Sequence, residues 1–175
     1  MLHAVALLRG MNLGKRRITN AELQAHFRDM GFDPVATFRA SGNVLFGGPT
    51  PADLEAAIAQ GLERRLDYPV PTFVRERQEL ADTLAAVPFS EQERSSHGKL
   101  QIVFLTASPS AAQRQQVLDL ATDEDLLGLH GRALYWLPRA GISTSALDFK
   151  AVERILGGTT TRTEGTCQSL LKKLG

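Results

Sequence analysis

The chain has 175 residues, enough for one ordinary domain or for two small lobes, each with its own core. Its 43% hydrophobic and 22% charged residues describe a soluble globular protein, and no window approaches the roughly 18 consecutive apolar residues of a membrane helix, which excludes a membrane partner. A net charge of +1 excludes the strongly basic balance of a protein that coats nucleic acid, so any anion preference must come from local clustering.

In chain order, "HAVALLRG" is an apolar run ending in Gly10, which predicts a buried strand feeding a loop. The start lacks a basic leader region and a small-residue cleavage site, so a first strand in a cytoplasmic protein is expected. Residues 11–18 form the loop. Thr19 with Glu22 three positions later is a capping box, and Leu23, Phe27 and Met30 recur at helical spacing until Gly31. Residues 35–47 read as two strands of a hairpin turning at Ser41, Gly42 and Asn43. Thr50 as N-cap and Pro51 in the first turn predict a helix with Leu54, Ile58, Leu62 and Leu66 on one face, and "VPTFVRE" predicts a further strand. The order βαββαβ builds a four-stranded antiparallel sheet with two helices on one face, the ferredoxin-like arrangement.

A helix over 77–86 leads to "PFSEQERSSHGK", which has no periodic apolar face and reads as a connector. Then come a strand in "LQIVFLT", a helix opened by Ser108 and Pro109, two strands turning at His130 and Gly131, a helix in "SALDFKAVERILGG" and a final helix in "TEGTCQSLLKKLG". The fold class is therefore α+β, with two ferredoxin-like subdomains. The expected boundaries are 1–87, a connector at 88–99 and 100–175, the second subdomain being incomplete or variant, with its last strand missing or unclear and an extra C-terminal helix. Tyr135 and Trp136 alternate on a strand, which places one in the core and the other on the surface.

The pieces "ALLRGMNLG", "ITNAEL", "FRASGNVLF", "GISTS" and "TTTRTEGT", in this order, resemble the DUF1697 family of small bacterial proteins. The resemblance implies an α+β fold of two ferredoxin-like subdomains and no established activity. The chain departs from the family pattern at Gly14 and Lys15, where a glycine pair is usual. It departs again at Thr163, Glu164 and Gly165, where an asparagine-rich stretch with a tryptophan is usual. Arg162 and Thr166 remain as matching positions there.

Three groups of residues carry candidate chemistry. Residues 9–17 hold four cations and no acid, and Arg9, Gly10, Asn12, Gly14 and Lys15 have the parts of a phosphate-binding nest, in which glycines let amides approach an anion. The spacing is neither a Walker loop nor GxGxxG, and a sharp turn with solvated cations gives the same pattern. Arg39, Ser41, Gly42 and Asn43 form a compact polar turn, which is also a plain hairpin signal. Thr161, Arg162 and Thr166 belong to a run of five threonines before a predicted helix start, where unpaired amides favour anions and where simple capping also places hydroxyls.

Cys167 is the sole cysteine, and the four histidines show no metal spacing, so no metal and no cofactor are expected. No paired carboxylates or nucleophile elbow are recognisable. The leading expectation is binding of a phosphate-bearing ligand, a nucleotide or nucleic acid, in a basic Gly/Thr-rich cleft. Two alternatives stay open: an enzyme acting on a small anionic substrate, and a protein interaction module.

Overall fold

The computed structural model describes residues 1–39 and 42–175. By contact density the chain divides into two units, Met1–Leu80 with Ser169–Gly175, and Ala81–Gln168.

The first unit contains β1 (Ala4–Leu8), α1 (Asn20–Asp29), β2 (Val35–Thr37), β3 (Asn43–Phe46), α2 (Leu54–Leu66) and β4 (Thr72–Glu76). Its antiparallel sheet runs β2-β3-β1-β4. Every residue of β1 and β3 is buried. Alternation divides them: Ala4, Ala6, Leu8, Val44 and Phe46 pack with Leu23 and Phe27 of α1 and Ile58 and Leu62 of α2, while Val5, Leu7 and Leu45 stand on the other face. Strands buried on both faces explain why this part of the sequence reads as apolar runs. The α1 capping box forms as expected, with Thr19 N donating to Glu22 Oε2 at 2.7 Å and Glu22 N to Thr19 Oγ1 at 3.1 Å. The bonds that the carboxylate accepts, from Thr19 N first and then from Thr19 Oγ1 at 2.8 Å, hold the Glu22 carboxyl below its ordinary range. Helix α2 starts later than the Thr50–Pro51 signal. Its cap is Asp53, whose side chain accepts from Ala56 N at 3.0 Å, because the carboxylate there reaches the third amide of the helix.

Helix α3 (Arg77–Ala85) follows β4, and the stretch read as a connector contains α4 (Glu91–Ser96), capped by a Ser90–Glu93 box. The second unit then contains β5 (Gln101–Leu105), α5 (Ala111–Leu118), β6 (Asp125–His130), β7 (Ala133–Pro138), α6 (Phe149–Leu156) and β8 (Thr159–Thr163), and α7 (Glu164–Leu174) ends the chain. The sheet order β6-β7-β5-β8 repeats that of the first unit. The last strand, missing or unclear from the sequence alone, is therefore present. It is the threonine run itself, paired with β5 through Ile102↔Arg162 and Val103↔Thr161. Threonine is β-branched and suits a strand, but a polar run carries no apolar alternation to announce one.

The fold corrects two smaller expectations. Helix α5 is capped by Ser110 in a box with Gln113, two residues after the expected opening. Tyr135 and Trp136 are both buried, since β7 lies inside the sheet with both faces covered. Tyr135 donates to Thr83 O at 2.6 Å, and burial pushes its phenol up to about 12. Trp136 stacks on Phe149 with centroids 5.5 Å apart. Neither ring is free to stack on a nucleobase.

Candidate functional site

The antiparallel pairing Leu7↔Asn43 sets the end of β1 beside the start of β3, so the loop leaving one and the turn entering the other share an end of the sheet. Leu8 N donates to Gly42 O at 2.8 Å. A Cβ at Gly42 would lie 3.0 Å from Leu8 Cβ and 3.2 Å from Met11 Cγ, which makes the glycine a requirement of close packing, reinforced by its φ of +72°. Asn20 at the start of α1 ties in the other side of the turn, donating from Nδ2 to Arg39 O at 3.2 Å. Two of the three sequence-predicted groups are thus neighbours.

Within the loop, polar side chains divide between scaffold and surface. Asn12, with φ of +57°, accepts from Ile18 N through Oδ1 at 2.9 Å. Arg17 Nη1 donates to Gly14 O at 2.8 Å and Arg16 O at 2.7 Å, which fastens the loop from within. Gly10 and Gly14 take φ of +76° and +57°, so the chain coils where the sequence suggested a nest. Arg16 lies over the Tyr68 ring, 4.1 Å from its centroid. Lys15 is exposed and has no hydrogen-bond or ion-pair partner among the described residues, and Arg9 is exposed beside Gly10. Asn43 is a strand residue 2% exposed, donating from Nδ2 to Phe38 O at 3.0 Å. The polar-turn reading of Asn43 gives way to a structural one, because its amide closes the β2–β3 connection. Arg39 holds φ of +60°, a conformation side chains disfavour, with its guanidinium 5.2 Å from the Phe38 centroid. Lys173 Nζ lies 5.2 Å from the same ring. Ser41 lies outside the described residues.

The third group belongs to the second unit. Arg162 sits in β8, donating from Nη1 to Thr160 Oγ1 at 2.8 Å and Thr161 O at 2.9 Å. Loss of hydration lowers its guanidinium to about 10, which leaves it charged at neutral pH. Thr166 lies in the first turn of α7, its amide donating to Thr163 Oγ1 at 3.3 Å and its hydroxyl accepting from Thr163 Oγ1 at 3.0 Å. Simple capping accounts for Thr163 and Thr166. Cys167 is fully buried, and burial pushes its thiol up to about 12, which removes it as a nucleophile.

Sequence reasoning missed the buried polar centre at Asp125. Asp125, 1% exposed, accepts from Trp136 Nε1 at 2.8 Å, Ser145 Oγ at 2.6 Å and Thr122 Oγ1 at 2.8 Å. Burial opposes its ionisation, yet the three donors outweigh burial and hold the carboxyl below the ordinary aspartate range. Ser145 also accepts from Leu147 N at 3.0 Å, so the carboxylate pins the "GISTS" stretch to the sheet. The available signal was Trp136, whose indole N–H needs an acceptor once buried. Among the described residues no group of three or more His, Cys, Asp or Glu side chains could hold a metal, and no helix is long and apolar enough to cross a membrane.

The family model described as "Protein of unknown function (DUF1697)" matches residues 1–135, which include the whole basic loop and the turn beside it. The chain belongs to the DUF1697 family. Thr161, Arg162 and Thr166 fall outside the matched span of this DUF1697 chain. Among solved structures it is similar to the conserved bacterial protein SP0830 from Streptococcus pneumoniae, at 19% identity and a TM-score of 0.74, over 99% of this chain and 98% of that one. That likeness shows a shared α+β fold. No curated protein matches the chain.

Proposed function

We propose that this chain binds a phosphate-bearing ligand, a nucleotide or nucleic acid, at the end of the first unit's sheet where β1 leaves and β3 enters. The observation that carries the reading is that both flanks of the basic loop are tied to the turn: Leu8 N, just before the loop, donates to Gly42 O, and Asn20, just after it, donates to Arg39 O. Arg9 and Lys15 lie on this loop and Arg39 borders the turn, and the positive φ of Gly10, Asn12 and Gly14 coils the loop backbone so that amides can face an anion. Division of labour supports the same reading: Asn12 and Arg17 fasten the loop from inside, which leaves Lys15 unpartnered among the described residues. Backbone strain at Arg39 points the same way, since a left-handed arginine costs free energy that surrounding structure must offset. Arg16 lies over the Tyr68 ring, and Arg39 and Lys173 lie near the Phe38 ring, so cations and rings accompany both the loop and the turn, groups of the kind that hold a phosphate and its base.

A thermal-shift panel of inorganic phosphate, mononucleotides, dinucleotides and short single- and double-stranded oligonucleotides, at low and physiological salt, tests the proposal. A ligand at 100 times its Kd stabilises by about 2.7 kcal/mol, which for a chain of this size moves Tm by roughly 5–10 °C. The shift is expected for one ligand class and is expected to fall in Arg9→Ala and Lys15→Ala. No shift with any ligand, or a shift that both variants retain, rejects the reading. A steep loss with salt would identify a nucleic-acid backbone over a mononucleotide.

A further inference from the structure

A cavity of about 720 Å³ opens on the first unit, lined by Asp29, Met30 and Phe32 at the end of α1, Pro49, Thr50 and Pro51 before α2, and Ala57, Arg64 and Arg65 of α2. Its volume falls within the range of about 300–1,000 Å³ typical of small-molecule sites. Its shape has a cause in the sequence. Ala57, Gly61, Arg64 and Arg65 follow one another at helical spacing along one face of α2, and the first two are the smallest side chains available there. A Cβ at Gly61 would overlap Met30 Sδ, so the glycine lets the methionine sink against the helix and form a floor. Two prolines stiffen the facing wall.

We propose that this cavity binds a small organic carboxylate with an apolar body. Met30, Phe32, Pro49, Pro51 and Ala57 offer the apolar surface, and the two arginines offer forked donors that match a carboxylate. Arg65 spends one Nη1 bond on Gly61 O at 3.0 Å and keeps its remaining donors, while Arg64 has no partner among the described residues. Cations in the last turn of α2 also complement the helix dipole, which accounts for their charge but not for the concavity they border. Asp29 on the same rim offsets one of the two positive charges, which selects a monoanion over a phosphate ester carrying two. The site is separate from the basic loop, and this proposal stands whether or not that loop binds phosphate.

The test is titration of the ¹⁵N-labelled full chain with 3-phenylpropionate and hexanoate, each against its primary amide. The acids are expected to shift the amide signals of Met30, Phe32 and Ala57, with the amides binding about tenfold more weakly, the loss of one charge-assisted contact. Arg64→Gln with Arg65→Gln should weaken the acids by the same factor, exposed Ala57→Trp should obstruct the cavity and weaken binding, and Lys15→Ala should change nothing. Circular dichroism confirms that each variant is folded. Equal binding of acid and amide, acid binding untouched by Arg64→Gln with Arg65→Gln or by Ala57→Trp, or no shift up to the solubility limit of the probes overturns the proposal.

Discussion

Replacing Asp125 separates the worth of its shape from the worth of its charge. In Asp125→Ala the indole N–H of Trp136, 6% exposed, loses its acceptor and stays buried, at about 1–3 kcal/mol. Thr122 and Ser145, both half-buried, lose one hydrogen bond each at about 0.5–1 kcal/mol, since their hydroxyls can turn toward water. The total is about 3 kcal/mol, or roughly 6–12 °C in Tm. Asp125→Asn should cost less, about 1 kcal/mol. Trp136 and Ser145 both bond to Oδ1, which the amide oxygen replaces, and Thr122 on the other oxygen can reverse its hydroxyl to accept. The folded carboxyl titrates below its unfolded value, so its contribution is complete above the unfolded pKa near 4 and is lost as pH falls through the folded one. Urea unfolding followed by the fluorescence of Trp136, the only tryptophan, should show the parent's advantage over Asp125→Asn at pH 7 and its shrinkage below about pH 4. If the alanine and asparagine variants lose equal stability, or the asparagine variant keeps the parent's acid limb, the carboxylate is not what holds this centre.

Three further outcomes are expected. Gly42→Ala forces a side chain into φ of +72° and to 3.0 Å from Leu8 Cβ, and should cost about 1–3 kcal/mol in chemical denaturation; a loss under about 0.5 kcal/mol would show the turn free to relax. Glu55→Ala removes the acceptor of Val74 N at 2.8 Å and the partner of Arg75 at 3.2 Å. Because Arg75 is 1% exposed and Glu79 stays 3.4 Å away, about 2–3 kcal/mol should be lost, and a neutral result would mean that Glu79 alone satisfies the guanidinium. Cys167, held near 12, should react with a thiol reagent at pH 8 about a thousandfold more slowly in the folded chain than in urea, and rapid native labelling would contradict its burial.

What the sequence announced, and what it withheld, follows from the range of the interactions involved. The Thr19–Glu22 box could be found because both partners sit within one turn, and the burial of β1 because an apolar run needs only its own residues to be recognised. The Thr50–Pro51 signal was equally local and still misplaced the start of α2, since Asp53 also fits a cap and only the assembled chain decides between them. Strand β8 was hidden by its polarity: five residues of threonine and arginine become a strand because Val103 and Phe104 offer a free edge, a fact about β5. Asp125 and Trp136 are eleven positions apart, and their hydrogen bond depends on the register of β6 against β7.

Among the candidate site residues, the same distinction separates composition from role. The cations and glycines of the loop could be counted in advance, but which of them fasten the loop and which face outward could not. Arg17 folds back onto three nearby carbonyls and Lys15 does not, although the sequence presents them as equals two positions apart. The cavity beside α2 lies further still from the sequence, because its depth comes from Met30 settling against Gly61 across thirty-one positions of chain. A cluster of cations announces where an anion could be held, and the atoms those cations already satisfy determine which remain to hold it. Substitution at Lys15, Arg39 and Arg64 is therefore more informative about ligand than substitution at Asn12 or Arg17, where lost binding would be indistinguishable from a lost loop.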